Sequence, residues 1–193
     1  MTDGSAPARE KLGIWSRIAR AVGISNPVLR TGPEVVEMVR GLRAVYEGRL
    51  PTEDRPPAEP TPQGVFGVIL DHGAEGTVLT TIAMNDGTTR LLPGLGSGIV
   101  IGDRFPPRTY DLAKELCRQA GALACFVPRD AAPDYPTEGR FRVVVLTMSG
   151  RRSLDMSADD FFGGKTPLAP LGRTYAQLQA ILIRFAFESS AEG

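Results

Sequence analysis

One stretch of the sequence, residues 77–102, constrains the fold more than any other. Its letters are TVLTTIAMNDGTTRLLPGLGSGIVIG, which read as a strand, a turn at Asn85-Asp86-Gly87, a second strand and a glycine-rich passage. Asx-Gly between two β-rich runs is the strongest short-range hairpin signal, because both central residues of a type I′ turn need positive φ. The stretch therefore predicts an antiparallel hairpin, and we expect the centre of the sheet here.

The remaining elements follow from the period of the apolar residues. Residues 71–76 are predicted as a loop, and residues 157–172 as a long connection. The predicted fold is α+β: an antiparallel sheet of about five strands with two helices mainly on one face, preceded by an N-terminal helical arm. The pattern places strands at 64–70, 77–84, 88–92, 140–148 and 151–156, and helices at 108–126 and 173–187.

The first predicted helix, residues 10–22, is amphipathic and basic. Its apolar face carries Ile14, Trp15 and Ile18. Such a helix is a candidate element for docking on a partner protein or on a membrane surface. The favoured interpretation of the pattern alone is a helix packed on its own domain, with the Trp side chain in the core.

A second helix is predicted from Thr31, where capping-box spacing begins, to Gly48. The proline-rich run that follows favours an extended, stiff linker. The sequence thus divides into a helical arm (1–50), a linker (51–62) and an α+β domain (63–188). The apolar stripe of the second helix consists of Val35, Val36, Val39, Leu42 and Tyr46.

Composition and charge argue against several kinds of partner and location. The 193 residues include 22 Lys and Arg and 22 Asp and Glu, so the formal net charge is zero and no bulk field favours nucleic acid. No run is long and apolar enough to span a bilayer, and the N-terminal residues lack the pattern of a signal peptide. The two cysteines, Cys117 and Cys125, do not make a disulfide framework. We expect a cytoplasmic protein with no integral membrane segment and no nucleic-acid partner.

The residue sets that common catalytic sites need are not found in the sequence. His72 is the only histidine, and we expect it in an exposed loop beside Asp71. Ser97 lacks the flanking glycines of a nucleophile elbow, since Leu95 and Ile99 stand in those positions. We therefore assign no catalytic residue.

The sequence offers few candidate ligands for a metal ion or a cofactor. One His and two Cys are too few for a zinc cluster, and Cys117 is interpreted as a core residue of its helix. The pair Asp159-Asp160 fits a magnesium site, but with Ser157 it also fits the start of a helix. We assign no metal site and no cofactor.

The glycine-rich passage is the candidate ligand site. A dinucleotide site needs glycines between a strand and a helix, whereas here the passage runs into Ile-Val-Ile and the helix follows only after Pro107. Glycines that let chain segments pack closely are the favoured interpretation. The alternative ligand site would consist of Gly94, Gly96, Ser97, Gly98, Asp103 and Arg104.

Several short segments occur in a characteristic order along the chain. They are DGTT at 86–89, GSGIVIG at 96–102, the strand and turn at 140–150, DD at 159–160 and PLAPL at 167–171. On these segments the chain, from about residue 64 to 182, resembles a family of small bacterial proteins that has no assigned activity. The element order is also similar to that of roadblock or profilin-like modules, two-layer domains that act by binding partners; this comparison is by topology and carries no site residues.

The expected function is that of a non-enzymatic protein-interaction or regulatory module, whose arm docks on a second copy or on another protein. One alternative is a small-ligand or nucleotide-binding protein, including an enzyme, that uses the Gly94–Gly102 passage. A further alternative is attachment to a membrane surface through the first helix.

Overall fold

The structure, a computed structural model, describes residues 64–74, 77–93, 100–101, 106–124, 127–128, 135–163 and 166–191. The predicted α+β class is confirmed, with six strands and three helices in these ranges. The predicted arm and linker lie outside them, so that division of the chain stays a prediction. The elements are β1 (Val65–Ala74), β2 (Thr77–Met84), β3 (Thr89–Pro93), β4 (Val100–Ile101), α1 (Pro107–Leu123), β5 (Arg140–Thr147), β6 (Gly150–Ser157), α2 (Ala158–Phe162) and α3 (Ala169–Ala191).

The strands form one antiparallel sheet in the order β4-β3-β2-β1-β5-β6. Its middle is the β2–β1 pair, so the expectation that residues 77–102 form the centre is wrong for β3 and β4, which lie at one end. Because β1 pairs with β5 as well as with β2, β5 and β6 extend the sheet beyond β1, and the middle of the sheet lies at the β2–β1 pair. Strands β1 and β5 are far apart in the sequence, and local patterns carry no signal for such a contact.

The hairpin between β2 and β3 lies at the predicted residues, but its turn differs from the predicted type. The Met84 N–H donates to the Thr88 carbonyl at 2.8 Å, and the Gly87 N–H donates to the Met84 carbonyl at 2.9 Å. This bonding is typical of a three-residue loop that ends in a left-handed residue, here Gly87 with φ of 89°. The Asp86 carboxylate also accepts from the Thr88 N–H at 2.8 Å.

The two faces of the sheet bury two separate sets of apolar side chains. The three helices lie on one face, where α1 and α3 pack against strand residues such as Val68 and Leu70. The opposite face, called the second face below, has a smaller cluster made only of strand residues. That cluster consists of Phe66, Ile69, Ile82, Leu92, Val144 and Leu146.

The helices follow the predictions with shifted ends. α1 ends at Leu123 rather than at residue 126, and α3 begins at Ala169 rather than at 173. The earlier start of α3 is compatible with Pro170, because proline is tolerated in the first turn of a helix. α2 falls within the predicted connection. No helix in the described part of the chain is both long and apolar enough to cross a bilayer.

β1 continues four residues beyond its predicted end, through the residues that were predicted as a loop. At this end of the strand the Gly139 N–H donates to the Gly73 carbonyl at 2.9 Å. A Cβ atom at Gly73 would overlap the backbone carbonyl of Thr137. Glycine therefore lets the segment at 135–137 lie directly against β1.

We expect Gly73→Ala to lower the free energy of unfolding by about 3 kcal/mol, because the backbone of the 135–137 segment has to move away. Urea unfolding followed by circular dichroism measures this. Gly139→Ala is the control: its Cβ would meet open space, and the loss of about 1 kcal/mol would come only from its φ of 72°. An equal or smaller loss for Gly73→Ala would contradict the close approach.

Candidate functional site

The site begins with two adjacent polar residues near the end of β1. Both Asp71 and His72 are buried. Successive side chains of a strand point to opposite faces, so His72 lies on the helix side with Leu70, and Asp71 lies on the second face with Ile69. The two side chains therefore do not form an acid–imidazole pair, although they are neighbours in the sequence.

His72 belongs to an aromatic cluster that consists of His72, Phe141, Phe161, Phe162 and Tyr175. Its ring centroid lies 5.1 Å from that of Phe141 and 6.4 Å from that of Phe162. Phe141 stacks on Phe161 at 4.1 Å and meets the Tyr175 ring edge to face at 5.2 Å. The expectation of an exposed loop histidine is wrong, because the strand continues and the rings cover the imidazole, which is 2% exposed.

Four different elements bring these rings together. Phe141 is the β5 residue that pairs with His72 across the sheet, and Tyr175 comes from α3. Phe161 and Phe162 come from α2. Gly172 allows α3 to approach α2, because a Cβ there would overlap the Phe161 carbonyl oxygen. The cluster is thus a tertiary feature of the folded chain.

The start of α2 fixes the direction of its two phenylalanines. The Asp160 N–H donates to the Ser157 hydroxyl at 3.0 Å, and that hydroxyl donates to the Asp160 carboxylate at 2.6 Å. This is the helix-start interpretation of the acidic pair, and it is confirmed. No group of three or more His, Cys, Asp or Glu side chains that could hold a metal ion occurs within the described ranges.

The imidazole of His72 is held neutral. Burial lowers its pKa below 6.5 because the charged form loses its hydration. Its Nε2 atom is buried and has no hydrogen-bond partner among the residues that the structure describes. The Tyr175 hydroxyl, in contrast, accepts from Gln179 Nε2 at 2.8 Å, and burial raises the pKa of Tyr175. Neither ring carries a charge at neutral pH.

Phe162 is the accessible member of the aromatic cluster. Its side chain is 42% exposed, whereas Phe161, the preceding residue, is fully buried. Phe162 contacts Phe161 and Phe141 edge to face, at 5.2 and 5.7 Å. An exposed aromatic ring on a rigid aromatic base is typical of an anchor for a partner, because it offers apolar area at little cost in side-chain entropy.

On the second face, a polar row crosses four strands and consists of Thr80, Asp71, Arg142 and Asp155. These residues are in register from β2 through β1 and β5 to β6. The Thr80 hydroxyl donates to the Asp71 carboxylate at 2.7 Å, and the Arg142 guanidinium forms two bonds to the Asp155 carboxylate at 2.6 and 2.7 Å.

The polar row contains one ion pair, between Arg142 and Asp155. Hydrogen bonding from Arg142 lowers the pKa of Asp155. Asp71 is fully buried between Thr80, which donates to it, and Arg142 in the strand register. The row therefore links four strands in register and has the properties of a structural polar network.

Cys117 lies in the core of α1, as predicted. Its thiol points at the Ala83 carbonyl oxygen, 3.5 Å away, and burial raises its pKa to about 12. A thiol with this pKa is protonated at neutral pH and is not a nucleophile.

The residues proposed from the sequence as binding sites lie outside the described residues. These are the partner-face residues Ile14, Trp15 and Ile18 and the ligand-site residues Gly94, Gly96, Ser97, Gly98, Asp103 and Arg104. Their roles remain predictions. The sequence reasoning missed the aromatic cluster; the adjacent pair Phe161-Phe162, which begins four residues after the cap serine Ser157, was the available signal.

Comparisons with known proteins identify no relative of this chain. A scan against protein-family models, a search of curated proteins and a search of solved structures each return no match to this chain. The function is therefore argued from the residues of the site.

We expect the stability of the protein to fall as the pH drops from 6.5 towards the lower pKa of folded His72, because the unfolded chain binds a proton there that the folded chain does not. The slope for one proton is at most about 1.4 kcal/mol per pH unit. Urea unfolding at pH 7.5, 6.5, 5.5 and 5.0 measures it.

His72→Leu removes the only imidazole of the chain and should abolish this part of the pH dependence. The two proteins are compared by the slope of the free energy of unfolding against pH. A loss of stability in the variant that is the same at every pH therefore does not affect the comparison. Equal slopes in the two proteins between pH 6.5 and 5.0 would contradict a buried, neutral His72.

We also expect Cys117 to resist thiol reagents in the folded protein. In a Cys125→Ser background, modification by a disulfide reagent at pH 8 should be on the order of a thousandfold slower than in urea, because so little of a thiol with a pKa of about 12 is ionised. A folded rate within about tenfold of the unfolded rate would show that the thiol is accessible.

Proposed function

We propose that this protein is a non-enzymatic interaction or regulatory module that binds a protein partner, or a second copy of itself, with Phe162 as an anchor. The exposed Phe162 ring on the aromatic cluster is the observation that carries the proposal. We place the module in the cytoplasm, where the free thiol of Cys117 would be stable.

The support from Phe162 is geometric. Large aromatic side chains supply much of the binding energy at protein interfaces, and they do so best when their position is fixed before binding. Phe141, Phe161 and Tyr175 contact the ring, and the Ser157 cap fixes the helix that carries it. The partner would meet an apolar ring flanked by the exposed carboxylates of Asp159 and Asp160.

Further support comes from the state of the reactive side chains. Cys117 is protonated in the core, the Asp71 carboxylate accepts from Thr80, and His72 is neutral among rings. A general base or a nucleophile needs a reachable partner and a pKa near the working pH. In the described part of the chain these groups take part in core packing and in the polar row instead.

One observation favours a second candidate, a small-ligand-binding protein. A buried nitrogen without a hydrogen-bond partner carries a cost of about 1–3 kcal/mol, and a ligand that bonds to it would relieve that cost. His72 Nε2 is such an atom among the described residues. A thermal-shift screen of metabolites on the wild type and on His72→Leu tests this candidate; a ligand that stabilises only the wild type would support it.

Site-specific photo-crosslinking in the native cells tests the module. A benzophenone amino acid replaces Phe162 in the full chain, and in a matched control it replaces Met148, which is also exposed but lies beyond the opposite end of β5. We expect an adduct of discrete mass from position 162 and none from 148.

The identified partner then allows an affinity measurement. Phe162→Ala should weaken binding about 30-fold, as expected for an anchor residue, and Met148→Ala should leave it unchanged. Absence of an adduct at 162, the same adduct from both positions, or equal affinities of the two variants would contradict the proposal.

A further inference from the structure

The second face of the sheet is buried although no described helix lies on it. Ile69, Ile82 and Val144 are each 0% exposed in the middle of this face. The apolar cluster to which they belong contains strand residues only, whereas the helix residues belong to the cluster on the opposite face.

A side chain on an open sheet face keeps part of its surface in water, because its neighbours on the sheet cover only its flanks. Complete burial of adjacent strand residues therefore requires another layer of protein. This exposure is that of a single chain, with no second copy present. The candidates for the covering layer are therefore the segments of the same chain outside the described residues.

The lengths of the segments outside the described residues limit which of them can form the covering layer. The longest internal ranges outside the description, 94–99 and 129–134, have six residues each. A loop of that size has to return to the sheet and cannot cover side chains from four strands. Residues 1–63 are the only longer stretch outside the described part of the chain.

Within that stretch, the helix predicted at 31–48 has the required apolar surface and the required dimensions. It would be about 27 Å long, and the second-face cluster extends over four strands, or about 14 Å. Its stripe of Val35, Val36, Val39, Leu42 and Tyr46 offers five apolar side chains on one side.

The proline-rich linker is long enough to connect a helix on the second face to the start of β1. Residues 51–62 can span up to about 37 Å in extended proline-rich geometry. That distance is enough to return the chain from the end of the helix to the start of β1 at Val65. The helix at 10–22 is separated from β1 by more than 40 residues and has no such short tether.

We infer that the 31–48 helix packs its valine-rich stripe on the second face of the sheet in its own chain. The protein then has helices on both sides of the sheet. The second half of the N-terminal arm is then part of the folded domain, and within the arm only the first helix, with Trp15, is left to contact a partner.

Methyl NMR on the full chain, labelled at isoleucine and valine methyl groups, tests this contact directly. We expect nuclear Overhauser effects from the methyls of Val35 and Val39 to those of Ile69 and Ile82. Ile183, buried on the helix side of the sheet, serves as the internal control and should show none to these valines.

A mixed sample separates contacts within a chain from contacts between copies. Half of the chains carry labelled valine only and the other half labelled isoleucine only, and we expect the effects to disappear. Effects that persist in the mixed sample, effects from Ile14 or Ile18 in place of the valines, or the absence of any effect to Ile69 and Ile82 would each overturn the inference.

A matched pair of substitutions gives an independent readout. Val39→Asp places a charge in the centre of the stripe and should raise the unfolding equilibrium constant about 30-fold. Ala44→Asp places the same charge on the opposite side of the predicted helix and should change it less than about threefold. Equal effects of the two substitutions would overturn the inference.

Discussion

The pairing of β1 with two partners is the constraint on which the rest of the structure depends. β1 is in register with β2 along one side and with β5 along the other. This joins the hairpin half of the sheet to the β5–β6 half. The same strand supplies buried side chains to both faces, so the alternation of its residues determines which groups meet. Asp71 joins the polar row on the second face, and His72 joins the aromatic cluster.

The fold class was predictable because it follows from local periodicity. The alternation in β2, the apolar run of β5 and the stripe of α1 each indicate an element without reference to the rest of the chain. The end of β1 was not predictable in this way. Asp71, His72 and Gly73 are typical loop residues. Tertiary contacts keep them in a strand: a hydrogen bond from Thr80, a ring contact with Phe141 and the backbone of residues 135–137 close to Gly73.

The candidate site was harder to predict from the sequence than the fold. Its rings come from β1, β5, α2 and α3, and the sequence carries no common motif that would connect them. The Ser157 cap and the core role of Cys117 were predictable, because each rests on spacing within one element. The exposed Phe162 and its buried neighbour Phe161 could be separated only when the position of α2 on the sheet was known. Local signals identify elements, and the contacts between elements determine the site.

The pairing of β1 with β5, called the β1–β5 seam below, also has a consequence for how the chain folds. The β2–β3 and β5–β6 hairpins are each closed by a short turn, so they can form early from nearby residues. The seam joins strands separated by the whole of β2, β3, β4 and α1, and its closure carries the entropy cost of a long loop. We therefore expect assembly along this seam to be the slow step of folding, with the aromatic cluster complete only after it.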